Sequence, residues 1–238
     1  MGLAACPICS QDARAETAHW TYDGATGAKS WGELDPQFKA CAVGSEQSPV
    51  NLAGAIKAEA ARLALDWKAE PFQIVNNGHT IQANAGAASS LTLDGKAYGL
   101  KQFHFHAPSE HALNGERSAM EAHFVHAASD GALTVVGAFL KAGAANAGFA
   151  ARMGAAPAGE GQAKASITID PSVFLPASRA LFRSEGSLTT PPCSEIVNWL
   201  VMETPVEASA GNLAAFVKLF PDNARPLQPL NRRFLLRS

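Results

Sequence analysis

Between residues 72 and 141 apolar side chains recur at every second position or in short unbroken runs, a pattern that predicts strands rather than helices. Segments 72–75, 80–83, 90–93, 101–106, 120–127, 134–141, 166–169 and 198–202 have strand length, and turn dipeptides such as Asn77-Gly78 and Asn114-Gly115 lie between them. Helical spacing is rarer. It fits 53–63, the alanine-rich 144–153, and 212–219 with Asn212 as its N-cap, while 154–161 reads as loop. No internal repeat or shift in composition marks a linker. The pattern therefore predicts a single domain, mainly β with short peripheral helices.

Composition narrows the function classes. At 238 residues, 47% hydrophobic and 17% charged, the chain can bury one substantial core and has no disorder signature. The net charge is -2, and no basic cluster interleaves with aromatics, which argues against a nucleic acid or an anionic membrane as partner. No apolar run reaches the length of a membrane span. A small-molecule substrate is the expectation that remains.

The N-terminal residues bear on location. Residues 1–15 are small and apolar and end in Ala13-Arg14-Ala15, the small-x-small pattern of a signal-peptidase site, so they read as the remnant of an export signal or as a leader. Leu3-Ala4-Ala5-Cys6 also resembles a lipobox, a weaker alternative that would anchor the protein through Cys6. Cys6-Pro7-Ile8-Cys9 stands outside any strand-helix pattern, which argues against a thioredoxin-like role. The expected location is periplasmic or secreted, with 16–238 as the folded domain. Cys41 and Cys193 are either free thiols or a bridge, since bridges persist only in oxidising compartments.

The candidate chemistry rests on three histidines. In Gln102-Phe103-His104-Phe105-His106 an extended backbone sends both imidazoles to one face and both phenylalanines to the other. The turn at Asn114-Gly115 lets a second strand return and set His123, in Glu121-Ala122-His123, opposite the pair. Three neutral nitrogens with no cysteine among them form an open zinc site, whose fourth position is left for water, the catalytic arrangement. Gln102 and Glu121 share the histidine faces and can accept a proton from the far nitrogen of a ligand ring. Ser187-Leu188-Thr189-Thr190-Pro191-Pro192 adds hydroxyls on a stiffened chain; Thr189 paired with Glu110 would orient a nucleophile, although local capping is the commoner use of such a segment.

Together with Ser109-Glu110-His111, Asn77-Gly78-His79, Glu46-Gln47-Ser48-Pro49-Val50 and Asn223-Ala224-Arg225-Pro226, these motifs closely resemble the exported bacterial alpha-class carbonic anhydrases. The resemblance implies a large, twisted, mostly antiparallel sheet with one zinc ion at the bottom of a conical cleft, and reversible hydration of carbon dioxide by a zinc-activated hydroxide. His104, His106 and His123 become the ligands, oriented by Gln102, the Asn223 carbonyl and Glu121. Thr189 and Glu110 orient the nucleophile, Thr189 and Thr190 contact bicarbonate, and His79 is the proton shuttle. Val125, Val135, Leu188, Val197 and Trp199 form an apolar pocket for carbon dioxide, Tyr22 and Gln82 organise water, and Cys41 is bridged to Cys193. His111 and His126 are assigned to structure. One departure stands out: Ala107 occupies the place of a bulky tryptophan found in many animal members, which leaves the shape of the cleft floor open.

Two other readings compete. His104-x-His106-x-x-x-Glu110 also fits a cupin metal motif, although the second cupin motif is missing. A carbonic-anhydrase-like binding module without activity is the non-enzymatic alternative, opposed by the presence of all three histidines. Monomer and homodimer are equally compatible with the sequence.

Overall fold

The computed structural model describes residues 18–59 and 61–238. The expected leader at 1–15, with Cys6 and Cys9, lies outside the described residues. Thirteen strands form one large sheet. Its central path runs Glu70–Asn76, Ile81–Asn84, Lys96–His106, Met120–Ala127, Leu133–Ala142, Val197–Ala208 and Leu181–Gly186. Neighbours on this path are antiparallel except Leu133–Ala142 beside Val197–Ala208, which run parallel. Among the described residues no helix is long and apolar enough to cross a membrane.

Alternation along the central strands separates two apolar layers. Phe103, Phe105, Phe124 and Ala122 point to one face, where Phe149 of the helix Ala147–Ala155 and Phe216 of the helix Ala210–Leu219 pack edge-on to Phe105. Val135, Val197, Trp199 and Val201 belong to a separate cluster on the other side. His104, His106 and His123 lie on that second face, whereas His126 shares the face of Phe124. Two irregularities keep it in register. A bulge between Leu100 and Gln102 leaves Lys101 unpaired and sets His104 opposite His123. A second slip between Ala138 and Leu140 coincides with Pro205 on the neighbouring strand, which has no N–H to donate to a ladder.

The strand expectations match in position, and the sheet extends several of them. Val197–Ala208 is far longer than 198–202, and Leu181–Gly186 is a strand the pattern did not show, because Arg183 and Glu185 break its apolar run. The helix expected over 53–63 does not form. Instead Ile56–Lys57 pairs with the C-terminal Leu236–Arg237, and Leu63–Asp66 pairs with Ser90–Leu93; Gly54, at φ +68°, turns the chain where helix should have continued. The helix expected at 212 starts at Ala210, and its cap is Ser209, whose side chain accepts from the Asn212 amide. The helix at 147–155 is capped by Asn146, which accepts from the Phe149 amide. A disulfide joins Cys41 to Cys193, closing a loop across 152 residues of sequence.

His126 illustrates the cost of burial in this core. Trp67 donates its indole N–H to His126 Nε2 at 3.0 Å, and His126 Nδ1 donates to the Phe124 carbonyl at 2.9 Å. Both nitrogens are satisfied only in the neutral ring. A second proton would meet the Trp67 N–H in a dry site. Burial accordingly lowers the His126 pKa to about 4 from an ordinary 6.5. A histidine whose pKa falls on folding supports the native state fully above 6.5, and that support is lost as pH falls towards 4. The expected loss is roughly 3 kcal/mol across this window. An NMR titration should place the His126 midpoint near 4, and a midpoint at 6 or above would refute the assignment.

Candidate metal centre

His104 and His123 are direct cross-strand partners, and His106 sits two residues further along the same strand. The three rings converge, with centroids 5.0 Å apart for His104 and His106, 5.4 Å for His104 and His123, and 4.6 Å for His106 and His123. One nitrogen from each lies within 4.8 Å of the others, which is close enough to share a metal ion.

The outward nitrogens are held by acceptors. His106 Nδ1 donates to the Asn223 carbonyl at 2.7 Å; a carbonyl can only accept, so the neutral ring presents an unprotonated Nε2 to the centre. His104 Nδ1 lies 2.8 Å from Gln102 Oε1, with the same consequence. Glu121 Oε1 comes within 3.1 Å of His123 Nε2, at an angle outside hydrogen-bond geometry, which leaves Nδ1 as the inward atom of that ring. His106 Nε2 is buried without a hydrogen-bond partner among the described residues. An orphaned imidazole nitrogen facing two others is what a soft or borderline cation would satisfy, and the donor set fits zinc.

Electrostatics favour neutral ligands on one strand. Burial, reinforced by the neighbouring imidazoles, pulls His104 well below the ordinary histidine range, and burial likewise lowers His106. For His123 burial acts in the same direction, yet the Glu121 and Glu110 carboxylates outweigh it and hold the ring up. Glu121 is shared: it also accepts from the His111 side chain and the His111 amide, both at 2.8 Å. Burial would raise Glu121, but His111 and His123 together keep it well below the usual carboxylate range. His111 therefore braces Glu121, a connection that no pattern in the sequence announced.

Several of the remaining expected residues lie near the rings. Glu110 accepts from the Arg225 amide at 2.8 Å through Oε1, while Oε2 lies 3.4 Å from His106 Nε2 and 3.8 Å from His123 Nδ1. The expected hydrogen bond from Thr189 to Glu110 is not formed: Oε2 leans towards the imidazoles and has no hydrogen-bond partner among the described residues. Val125, Val135, Leu188, Val197 and Trp199 belong to one apolar cluster, and the Trp199 ring packs 4.8 Å from His123. Thr190, Tyr22, His79 and Gln82 line a cavity of about 120 Å³ with His104 and His106. His79 stacks flat on Trp20, with centroids 3.7 Å apart, and burial followed by the charge of His19 lowers its pKa. Ala107 is buried in the cluster of Phe103 and Phe105, and its amide donates to Asn223 Oδ1.

A family model described as eukaryotic-type carbonic anhydrase matches residues 26–238. The chain belongs to the alpha-class carbonic anhydrases. It is 42% identical to a carbonic anhydrase of Pectobacterium atrosepticum over 230 residues, covering 96% of this chain and 94% of that protein. A carbonic anhydrase of a Nostoc species is also 42% identical, over 99% of this chain and 92% of its own. Among solved structures, the alpha-carbonic anhydrase of Thermovibrio ammonificans in complex with the inhibitor sulfanilamide superposes with a TM-score of 0.89 at 44% identity, covering 92% of this chain and 99% of that one. Membership makes the chain a carbonic anhydrase, an enzyme of reversible carbon dioxide hydration, and removes the cupin alternative.

The acceptors behind the three rings have a measurable role. Gln102→Ala should leave the fold intact yet weaken zinc binding by about 10- to 100-fold, because the His104 ring loses the partner that sets its tautomer. Competition with a chromophoric chelator checks this, and an unchanged affinity would show that Gln102 does not orient the ligand.

Proposed function

We propose that the carbonic anhydrase activity of this chain depends on one zinc ion held by His104 Nε2, His106 Nε2 and His123 Nδ1. The observation that carries the reading is the convergence of three imidazole nitrogens whose opposite nitrogens face protein acceptors or a carboxylate. Bound there, zinc would supply the Lewis acidity that makes hydroxide available from water near neutral pH, an established property of carbonic anhydrases. Every further task falls to the chain's own side chains.

Thr189 is buried, and Glu110 Oε2, whose partner oxygen is held by the Arg225 amide, has no hydrogen-bond partner among the described residues and is free to accept the Thr189 hydroxyl. A threonine that gives its proton to a carboxylate can only accept from the nucleophilic oxygen, so the pair would select which lone pair faces the substrate. Carbon dioxide has no net dipole and gains from the wall of Val125, Val135, Leu188, Val197 and Trp199, while the Thr189 amide and the Thr190 hydroxyl would hold the bicarbonate oxygens. His79, half-buried at the mouth of the cleft, would carry the proton outward, with Tyr22 and Gln82 ordering the intervening water. The Cys41–Cys193 bridge supports an exported enzyme, periplasmic or secreted. The inactive-module alternative is disfavoured because the complete ligand triad and its acceptors are present together.

His104→Ala should lose stoichiometric zinc and with it the hydration of carbon dioxide; full activity in a zinc-free preparation would sink the proposal. His79→Ala should bind zinc normally but turn over more slowly in weak buffer, by roughly 10- to 100-fold, with recovery on adding imidazole. Equal rates in weak and strong buffer would assign proton export to another group.

A further inference from the structure

One buried charge is used by neither the fold nor the proposed chemistry. Arg152, on the helix Ala147–Ala155, is fully buried. Its guanidinium lies 4.2 Å from the Phe105 ring centre and 4.7 Å from that of Phe103. These two rings flank His104 in sequence and project to the opposite face of the strand. The guanidinium therefore sits directly behind His104, separated from the metal pocket by the thickness of one strand. Nη2 donates to the Phe103 carbonyl at 3.2 Å, the carbonyl of the peptide that carries the His104 nitrogen. Among the described residues Nε and Nη1 have no partner and no carboxylate answers the charge.

Such an arrangement is costly. Arginine stays charged in proteins, and two cation–π contacts with a single carbonyl offset only part of the hydration it gives up. A methionine would fill the same aromatic slot without that cost. What methionine lacks is the field. In the buried layer of Phe103, Phe105, Phe149 and Phe174 no counter-charge among the described residues screens it, so its reach across one strand is long.

We infer that Arg152 tunes the metal pocket electrostatically: its fixed positive charge behind His104 strengthens the pocket's attraction for small anions, bicarbonate included, and loosens its grip on the divalent cation. Arg152 lies on the far face of the strand and acts through its field, not by contact with substrate. The inference rests on the zinc reading above. It adds that this chain balances easier metal release against stronger anion binding by a residue outside the cleft.

The test compares Arg152→Met with Arg152→Leu, two neutral side chains of different shape that both remove the charge. Apo protein is titrated with zinc against a competing chelator, and zinc-loaded protein is titrated with thiocyanate. Arg152→Met and Arg152→Leu should each bind zinc about tenfold more tightly and thiocyanate about tenfold more weakly, agreeing with one another within about threefold. Unchanged affinities in Arg152→Met would overturn the inference and leave the zinc reading standing. A parent protein that takes up no zinc would overturn the zinc reading itself. If the two variants differ from one another by as much as either differs from the parent, the effect is one of packing and the electrostatic role is refuted.

Discussion

The structure turns on a largely buried cluster of imidazoles that must keep one lone pair each aimed inward. Burial alone favours neutrality, since charging a ring in that setting forfeits its hydration. It does not choose which nitrogen carries the remaining proton. That choice is made by the Asn223 carbonyl at His106, by Gln102 at His104 and by Glu121 at His123. The three acceptors come from three places in the chain, and the sheet must bring them into contact before the site has any defined chemistry.

The sheet does this by combining rigid register with local irregularity. The pairing of His104 with His123 requires the bulge next to Gln102, since without it each residue of the His104 strand would face a different partner on the neighbouring strand. Behind the strand the aromatic layer of Phe103, Phe105, Phe124 and Phe174 anchors the same residues from the opposite side. Ligand geometry and core packing are thus two faces of one strand. The uncompensated guanidinium of Arg152 sits at their junction, where an interior charge can act on the cleft without entering it.

Asn223 shows how far the site extends beyond its motifs. Its carbonyl holds His106, its side-chain oxygen takes the Ala107 amide, and its side-chain nitrogen reaches the carbonyls of His79 and Phe105. One residue in an irregular segment thereby links a ligand ring, the backbone beside it and the hairpin that carries His79. Arg225, two residues later, donates its amide to Glu110 and its side chain to the carbonyls of Ser48 and Cys41. These bonds tie the ligand strands to the segment around the disulfide.

Much was legible in the chain itself, because alternation is a local property. The period of two at 101–106 and 120–127 places histidines and phenylalanines on opposite faces whatever the rest of the molecule does, and the motif spacing points to the family. Local patterns failed where distant partners decided. The segment 53–63 has helical composition, but Ile56–Lys57 finds the C-terminal strand and becomes sheet. The strand Leu181–Gly186 has too little apolar period to be seen, since its stability comes from neighbours on both sides. Likewise the bracing of Glu121 by His111, the stacking of His79 on Trp20 and the seating of Arg152 behind His104 are contacts between segments. Residue identity determined which groups could bind a metal and which face of a strand they would share. Only the tertiary structure decided which nitrogen of His106 is free, because its acceptor, the Asn223 carbonyl, is delivered by a segment more than a hundred residues away.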